Sequence, residues 1–171
     1  MLLITGRPGA GKTTVIRKVA ASLSGRRLAG FYTQEIRGRA GRRGFRLVTF
    51  DGRERIMAHV DFGGAERVGK YGVDVGVIDE IAGSALRGSR AVDVYLVDEI
   101  GKMECLSSAF VTAMRALLDS PARIVATIAQ RGGGFITEVR QRSGALLWTV
   151  THANRDALSD RIVAWIEDGG T

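Results

Sequence analysis

The 171-residue chain carries a formal charge of +7 at pH 7, most of it from arginine, since only four residues are lysine. It has no apolar run near the ~20 residues of a membrane-spanning helix, which excludes a membrane protein. The single cysteine, Cys105, excludes an internal disulfide. With a strand pattern beginning directly after Met1, we expect a cytoplasmic protein without a signal peptide, forming one monomeric domain over residues 1–171.

Hydrophobic patterning predicts strands and helices that alternate along most of the chain. The predicted strands are residues 2–5, 30–36, 45–50, 55–60, 92–99, 123–128 and 146–150, and the predicted helices are 13–24, 77–86, 103–118, 135–142 and 155–167. A serine at 107 or 108 is expected to cap the third helix. The alternation predicts an α/β fold of three layers, with a mostly parallel sheet between two helix layers.

The region between the second strand and the second helix breaks this alternation. Asp51-Gly52 separates two strand-like runs, which predicts an antiparallel hairpin over approximately 45–60, added to the parallel sheet. The preceding run, residues 37–44, is rich in glycine and arginine and predicts a mobile basic loop. Residues 63–76 are again glycine-rich and are either a surface connection or a segment that closes over a ligand.

The strongest signal lies between the first strand and the first helix. Residues 6–14 read Gly-Arg-Pro-Gly-Ala-Gly-Lys-Thr-Thr, which is the G-x-x-x-x-G-K-[ST] phosphate loop. Its glycines permit the backbone to wrap its N–H groups around a polyphosphate, and the helix N-terminus adds further donors. The motif therefore predicts nucleotide binding by Gly6, Arg7, Pro8, Gly9, Ala10, Gly11, Lys12, Thr13 and Thr14. Lys12 is expected on the β- and γ-phosphates and Thr13 on Mg²⁺.

Two acids end the strand predicted at 92–99. In phosphate-loop enzymes an aspartate at this point holds Mg²⁺, which makes Asp98 the second metal residue beside Thr13. The adjacent Glu99 is the candidate general base for an attacking water. Because successive strand residues point to opposite sides, the two carboxylates are not expected to crowd one metal ion. Together these motifs predict the three-layer fold of P-loop nucleoside-triphosphatases.

Three further residues are candidates from their position after predicted strands. Arg131 follows the strand ending at 128 and is placed to reach a γ-phosphate, in competition with Arg42 and Arg43 of the basic loop. Asn154 and Arg155 follow the last strand, where a nucleotide base could lie against them. A surface salt bridge for Arg131 and a helix N-cap for Asn154 are the alternatives.

With these motifs in hand, the chain resembles the THEP1 family of nucleoside-triphosphatases over essentially its whole length. The resemblance rests on the phosphate loop and on the runs Gly-Phe-Tyr-Thr-Gln-Glu at 30–35, Lys-Tyr-Gly-Val at 70–73, Val-Asp-Glu-Ile-Gly-Lys-Met-Glu at 97–104 and Asn-Arg-Asp at 154–156. Gln34 departs from the second acid usual in the family, whereas Glu35 matches it.

The resemblance implies Mg²⁺-dependent hydrolysis of ATP, GTP and other nucleoside triphosphates to diphosphate and phosphate. It also implies that Lys12 and Thr13 hold phosphate and metal, that Asp98 lies at the metal and that Glu99 activates water. Two other functions compete with hydrolysis. One is a nucleotide or small-molecule kinase with the basic loop as its lid. The other is a nucleic-acid-associated NTPase whose arginines between 37 and 55 follow a phosphate backbone.

Overall fold

The computed structural model describes residues 1–39 and 41–169, which form nine strands, five α-helices and one short 3₁₀ turn. The strands are β1 (Leu2–Thr5), β2 (Leu28–Gly38), β3 (Gly41–Thr49), β4 (Glu54–His59), β5 (Arg67–Val68), β6 (Tyr71–Val73), β7 (Val94–Ile100), β8 (Ile124–Ile128) and β9 (Leu146–Thr149). The helices are α1 (Lys12–Ser22), α2 (Val75–Ala85), α3 (Ser108–Leu118), α4 (Phe135–Arg140) and α5 (Arg155–Glu167). The 3₁₀ turn is Glu104–Leu106.

All nine strands join one sheet in the order β5-β6-β4-β3-β2-β7-β8-β1-β9. The five strands from β2 to β9 are parallel, and those from β2 back to β5 are antiparallel. Parallel strands end at the same edge of a sheet, so the segments that follow β1, β7, β8 and β9 gather at one carboxyl edge. That edge carries the phosphate loop, the Asp98-Glu99 pair, Arg131, Asn154 and Arg155.

Helices cover both faces of the sheet, which confirms the predicted α/β fold. Helices α1 and α5 pack on one face, and α2, α3 and α4 pack on the other. Strand β1 shows the division, because Leu3 contributes to one core cluster while Leu2 and Ile4 contribute to the other. A strand buried on both faces reads as a continuous apolar run, which is why the parallel strands are recognisable from sequence.

The prediction of a mobile basic loop at 37–44 is wrong for the described residues. Strand β2 continues to Gly38 and β3 begins at Gly41, with these two glycines paired across the strands; Ala40 lies outside the described residues. Glycine is needed here for close approach rather than for mobility. A Cβ at Gly44 would lie 2.3 Å from the carbonyl oxygen of Ala58 on β4. We call residues 37–44 the basic hairpin.

The antiparallel part of the sheet is larger than the hairpin predicted at 45–60. That hairpin is present as β3 and β4, joined through Asp51-Gly52. The glycine-rich segment at 63–76 adds two short strands, β5 and β6, and β6 pairs with β4. Two- and three-residue strands are too short to show a hydrophobic period, so the sequence gives no sign of them.

The helix predicted at 103–118 is divided by Ser107. This residue has an extended backbone (φ −84°, ψ 117°), and its hydroxyl accepts a hydrogen bond from the backbone N–H of Phe110 at 2.8 Å. The chain therefore ends the 3₁₀ turn at Leu106 and starts α3 at Ser108, with Ser107 as the N-cap that the sequence suggested. In the described part of the chain, no helix has the length and apolarity to cross a membrane.

Candidate active site

The phosphate loop occupies the turn between β1 and α1. Gly9 and Gly11 have φ values of +80° and +100°, in the left-handed region that favours glycine. Gly6 is required for close packing, because a Cβ there would lie 2.6 Å from the carbonyl oxygen of Val150. Ala10 is buried beneath the loop, and its N–H donates to the carbonyl of Arg7 at 3.0 Å. The remaining loop residues, Arg7, Pro8 and Thr14, are exposed.

Lys12 lies across this loop and reaches the acidic pair on β7. Its Nζ donates to the carbonyl of Gly6 at 3.3 Å and lies 3.4 Å from Oε2 of Glu99. The Lys12 side chain is 12% exposed and that of Glu99 is 27% exposed, so this ion pair is largely shielded from water. The Lys12 ammonium group and the Glu99 carboxylate, the candidate general base, therefore form an ion pair.

Asp98 is a buried carboxylate surrounded by threonine hydroxyls. Its exposure is 1%, and it accepts hydrogen bonds from the hydroxyls of Thr13 at 2.6 Å, Thr33 at 3.2 Å and Thr127 at 2.6 Å. These donors come from α1, β2 and β8, so the Asp98 carboxylate links three secondary-structure elements to β7. These hydroxyls satisfy the oxygens of a carboxylate that is removed from solvent.

Glu99 is in a different electrostatic environment from Asp98. Burial is the main cause of a pKa above the ordinary value for glutamate, the Lys12 cation lowers that pKa, and the Asp98 charge raises it again. A carboxylate with a raised pKa binds a proton more readily, which suits a general base.

The two acids contact consecutive residues of the phosphate loop, Thr13 and Lys12 respectively. We expected strand alternation to point them to opposite sides. The register of β7 against β8 shifts between Val97 and Ile100, so regular alternation does not apply to this segment. The peptide bond between Asp98 and Glu99 is cis. The carboxylates nevertheless have separate partners.

The Thr13 hydroxyl and the Asp98 carboxylate, whose oxygens are 2.6 Å apart, fit Mg²⁺ in their chemistry. Mg²⁺ prefers oxygen ligands and is usually held by one or two protein groups together with substrate phosphates and water. The described residues contain no group of three or more His, Cys, Asp or Glu side chains that could hold a metal ion. A site of the phosphate-loop type does not require such a group.

Arg131 and Asn154 lie at the same edge but outside this cluster. Arg131 is exposed after β8, and within the described residues it forms no hydrogen bond or ion pair with Lys12 or Glu99. Asn154 closes the turn after β9: its Oδ1 accepts from Thr151 N at 2.8 Å and its Nδ2 donates to Thr149 O at 2.9 Å. It makes no side-chain cap to α5.

Arg155, by contrast, packs directly on the phosphate loop. A Cβ at Gly11 would lie 2.5 Å from Cδ of Arg155, so the arginine side chain covers the last glycine of the loop. Its Nε is buried 3.6 Å from Oδ1 of Asp156, too far for a hydrogen bond. In the structure, Arg155 therefore contacts the phosphate loop. Arg131 lies at the same edge of the sheet but, among the described residues, forms no hydrogen bond or ion pair with the cluster.

Comparison with known proteins places this geometry in a family. A sequence model of the NTPase family matches residues 1–163. The nucleoside-triphosphatase THEP1 of Thermotoga petrophila is 42% identical over 163 residues, covering 95% of this chain and 90% of the relative. The chain belongs to the THEP1 nucleoside-triphosphatases. The crystal structure of THEP1 from Aquifex aeolicus matches with a TM-score of 0.89 at 37% identity, covering 98% of this chain and 99% of that one.

A human cancer-related nucleoside triphosphatase also shares the fold, with a TM-score of 0.82 at 35% identity over 98% of this chain and 97% of its own. The THEP1 family therefore accounts for the three-layer architecture and the added antiparallel strands as one fold. The roles of individual residues at this site follow from the geometry of this chain and not from the family name.

Three residues of the site in this THEP1-family chain received no role from the sequence: Thr33, Thr127 and Glu104. Thr33 and Glu104 lie within the runs that carry the resemblance, and Thr127 does not. Thr33 and Thr127 donate to Asp98, and Glu104 is a buried acid beside Glu99. A polar residue inside an apolar strand is a usable signal for Thr127, which is 0% exposed. Thr33 offers no such signal, because its partner depends on β2 lying beside β7.

Proposed function

We propose that the chain hydrolyses nucleoside triphosphates, including ATP and GTP, to diphosphate and phosphate with Mg²⁺ as cofactor. The observation that carries this proposal is the pair of contacts between the phosphate loop and the acidic strand end. Thr13 contacts Asp98 at 2.6 Å, and Lys12 contacts Glu99 at 3.4 Å. Phosphate binding, metal binding and water activation thus have residues within one small cluster. The names of the THEP1 relatives support the same activity.

The phosphate loop holds the triphosphate with backbone N–H groups, and Lys12 places its charge on the β- and γ-phosphates. Nζ of Lys12 lies against the Gly6 carbonyl and Glu99. In the proposed complex, phosphate oxygens share this cation with Glu99. The less of the Lys12 charge Glu99 receives, the higher its pKa and the stronger it is as a base.

Thr13 and Asp98 are the residues that would hold Mg²⁺. When bound, the ion would supply positive charge to offset that of the phosphate oxygens. The role of the protein is to fix the two oxygens, and Thr33 and Thr127 do this by holding the Asp98 carboxylate in one orientation.

Glu99 accepts the proton of the attacking water at a carboxylate oxygen. The water oxygen forms a bond to the γ-phosphorus, and the bond from that phosphorus to the bridging oxygen breaks. The electron pair leaves with the diphosphate. Arg131, at the same edge, is the proposed cation for the charge on the transferring phosphoryl group. The base of the nucleotide is proposed to lie against Arg155, and Asn154 shapes the turn beside it.

The test is the Glu99→Gln variant, which keeps the shape of the side chain but removes the base. We expect the rate of phosphate release from Mg-ATP and Mg-GTP to fall by at least about 100-fold, the usual contribution of a general base. Affinity for a fluorescent ATP analogue with Mg²⁺ should be retained, because the phosphate loop is intact. The readouts are free phosphate and fluorescence titration.

Glu54→Gln provides the matched control, because Glu54 is exposed and pairs with Arg46 on the antiparallel strands. This variant should hydrolyse at the wild-type rate. Wild-type turnover in Glu99→Gln would remove Glu99 as the base. A wild-type protein that releases no phosphate from any nucleoside triphosphate would refute the proposal as a whole.

The described residues offer nothing that favours a kinase or a nucleic-acid module over hydrolysis. The basic hairpin is paired strand rather than a free lid. Seven arginines between residues 37 and 55 could follow the phosphate backbone of a nucleic acid. Six of them are largely neutralised by ion pairs with carboxylates: Arg37, Arg42, Arg43, Arg46, Arg53 and Arg55. Paired arginines attract polyanions less than free ones do.

A further inference from the structure

Glu104 is a buried acid to which the proposed mechanism gives no role. It begins the 3₁₀ turn after β7 and is 4% exposed. No lysine, arginine or histidine in the described residues forms an ion pair with it. A buried carboxylate without a cation is costly, so the group keeps its proton. Burial raises the pKa of Glu104 to about 8, and the charges of Glu99 and Asp98 add to the effect.

Glu104 and Glu99 border the same residue, Gly101. A Cβ built on Gly101 would lie 2.8 Å from Oε2 of Glu104 and 3.5 Å from Oε1 of Glu99. Any larger residue at position 101 would therefore press on the Glu104 carboxyl. The ion pair of Glu99 with Lys12 puts the negative charge of the pair on Glu99. A neutral Glu104 can therefore lie beside it without repulsion.

The Glu104 carboxyl also packs on the turn directly after Glu99, since its Oε2 would lie only 2.8 Å from a Cβ on Gly101. The N–H of Cys105 donates to the carbonyl of Gly101 at 3.1 Å, which closes the same turn from the other side. The backbone two residues after Glu99 is thus packed against a side chain that is 4% exposed.

We propose that Glu104 is a positioning residue for Glu99: its buried carboxyl packs against the Gly101 turn and confines the Glu99 carboxylate to the side that faces the phosphate loop. The inference rests on the proposed role of Glu99 as the base. It concerns the orientation of Glu99 rather than contact between Glu104 and the nucleotide.

The experiment compares two replacements of Glu104. Glu104→Gln is a neutral isostere that keeps a polar group of the same shape against Gly101, so kcat should stay within about threefold of wild type. Glu104→Leu keeps a similar volume without the polar group. Its kcat for Mg-ATP should fall on the order of 10- to 100-fold, as misplacement of a reacting group by about 1 Å does. KM and the affinity for a fluorescent ATP analogue should change by less than about twofold, since the phosphate loop is untouched.

Ser107→Ala is the matched control for general loosening of this segment. It removes the cap at the opposite end of the same turn and should lower the melting temperature without changing kcat. Gly101→Ala is a second route if Glu104→Leu does not fold. Its added Cβ would press on Oε2 of Glu104, and the expected result is again a loss in kcat with KM retained.

A double-mutant cycle separates this inference from the proposed function. If Glu104 acts through Glu99, then Glu104→Leu should lower the residual rate of Glu99→Gln by less than about twofold. An equal loss in both backgrounds would overturn the positioning role and leave Glu99 as the base. A loss in Glu104→Gln as large as in Glu104→Leu would also overturn it. Wild-type turnover in Glu99→Gln would instead remove the base assignment itself.

Discussion

Single residues at this site are held by partners from distant parts of the chain, and Asp98 is the clearest example. Its three hydroxyl donors, Thr13, Thr33 and Thr127, lie 85, 65 and 29 residues away in sequence. A carboxylate with several donors keeps its orientation whichever way the metal and phosphate approach. Rigidity of this kind is the main contribution a protein makes to a metal site.

Replacing Thr127 tests how much one of these donors contributes. Thr127→Val has nearly the same shape but leaves Oδ1 of the buried Asp98 without its hydroxyl donor. We expect the free energy of unfolding to fall by about 1.5–3 kcal/mol, the range for a hydrogen bond to a charged group. Urea unfolding measures this. Thr127→Ser keeps the hydroxyl and should lose distinctly less; equal losses in both variants would mean that the methyl packing matters rather than the hydrogen bond.

Residues whose function depends on a contiguous motif were predictable, and those that depend on strand order were not. The glycines at 6, 9 and 11 have a local backbone reason, and Lys12, Thr13, Asp98 and Glu99 follow from the motifs and meet in one cluster. The role of Thr33 appears only when β2 is known to lie beside β7. Asn154 was expected at the base or as a cap, but its amide is engaged within its own turn.

At the scale of elements, the basic hairpin shows why composition alone misleads. Its glycines and arginines read as a flexible loop. In the fold, Glu35 accepts from Arg37 and Arg42, and the Arg42 guanidinium lies 4.9 Å from the ring centre of Phe45. Antiparallel pairing supplies the backbone hydrogen bonds that a lone glycine-rich segment lacks. A strand of this kind is stabilised by its cross-strand neighbours, so the β-propensities of its own residues do not predict it.

Helix α3 depends on its N-cap at Ser107, which gives a prediction at this scale. Ser107→Ala removes the acceptor for the Phe110 N–H and should lower the free energy of unfolding by about 1 kcal/mol. For a chain of this size the melting temperature should fall by about 2–4 °C. Ser108→Ala is the adjacent control, because Ser108 is exposed and is the first helical residue rather than the cap. An equal shift in the control would contradict the assignment of the cap.

For the whole molecule, the alternation of strands and helices predicted the fold class, whereas the sheet order required the structure. No local sequence feature specifies that β1 lies between β8 and β9. That order comes from right-handed crossovers and from packing on both faces of the sheet. The antiparallel extension lengthens the sheet beyond what the hairpin signal alone suggested.

Global stability should depend on pH through Glu104. Its folded pKa, about 8, lies above the ordinary value of 4.5, so the folded state binds this proton more tightly than the unfolded chain. The resulting stability is fully present below about pH 4.5 and is lost as pH rises through about 8, with a slope approaching ~1.4 kcal/mol per pH unit in that window. Urea unfolding without Mg²⁺ or nucleotide, from about pH 5.5 to 8, measures the slope.

Glu104→Gln is the comparison for this prediction, because its side chain does not titrate. Subtracting its pH profile from that of the wild type isolates Glu104 from the two histidines and the other acids. The difference should fall steadily with rising pH. Parallel profiles would show that Glu104 is already ionised in the folded protein at neutral pH.

The contacts behind the phosphate loop also determine when this site can exist. The carbonyl of Val150 packs against Gly6, its N–H donates to Thr5 at 2.8 Å, and Arg155 covers Gly11. The phosphate loop therefore depends on residues that come about 140 positions later in the chain. During synthesis on the ribosome, the loop can be completed only after residues 150–155 have emerged from the exit tunnel. We therefore expect nucleotide to bind after these residues have folded onto the loop and not to guide earlier folding.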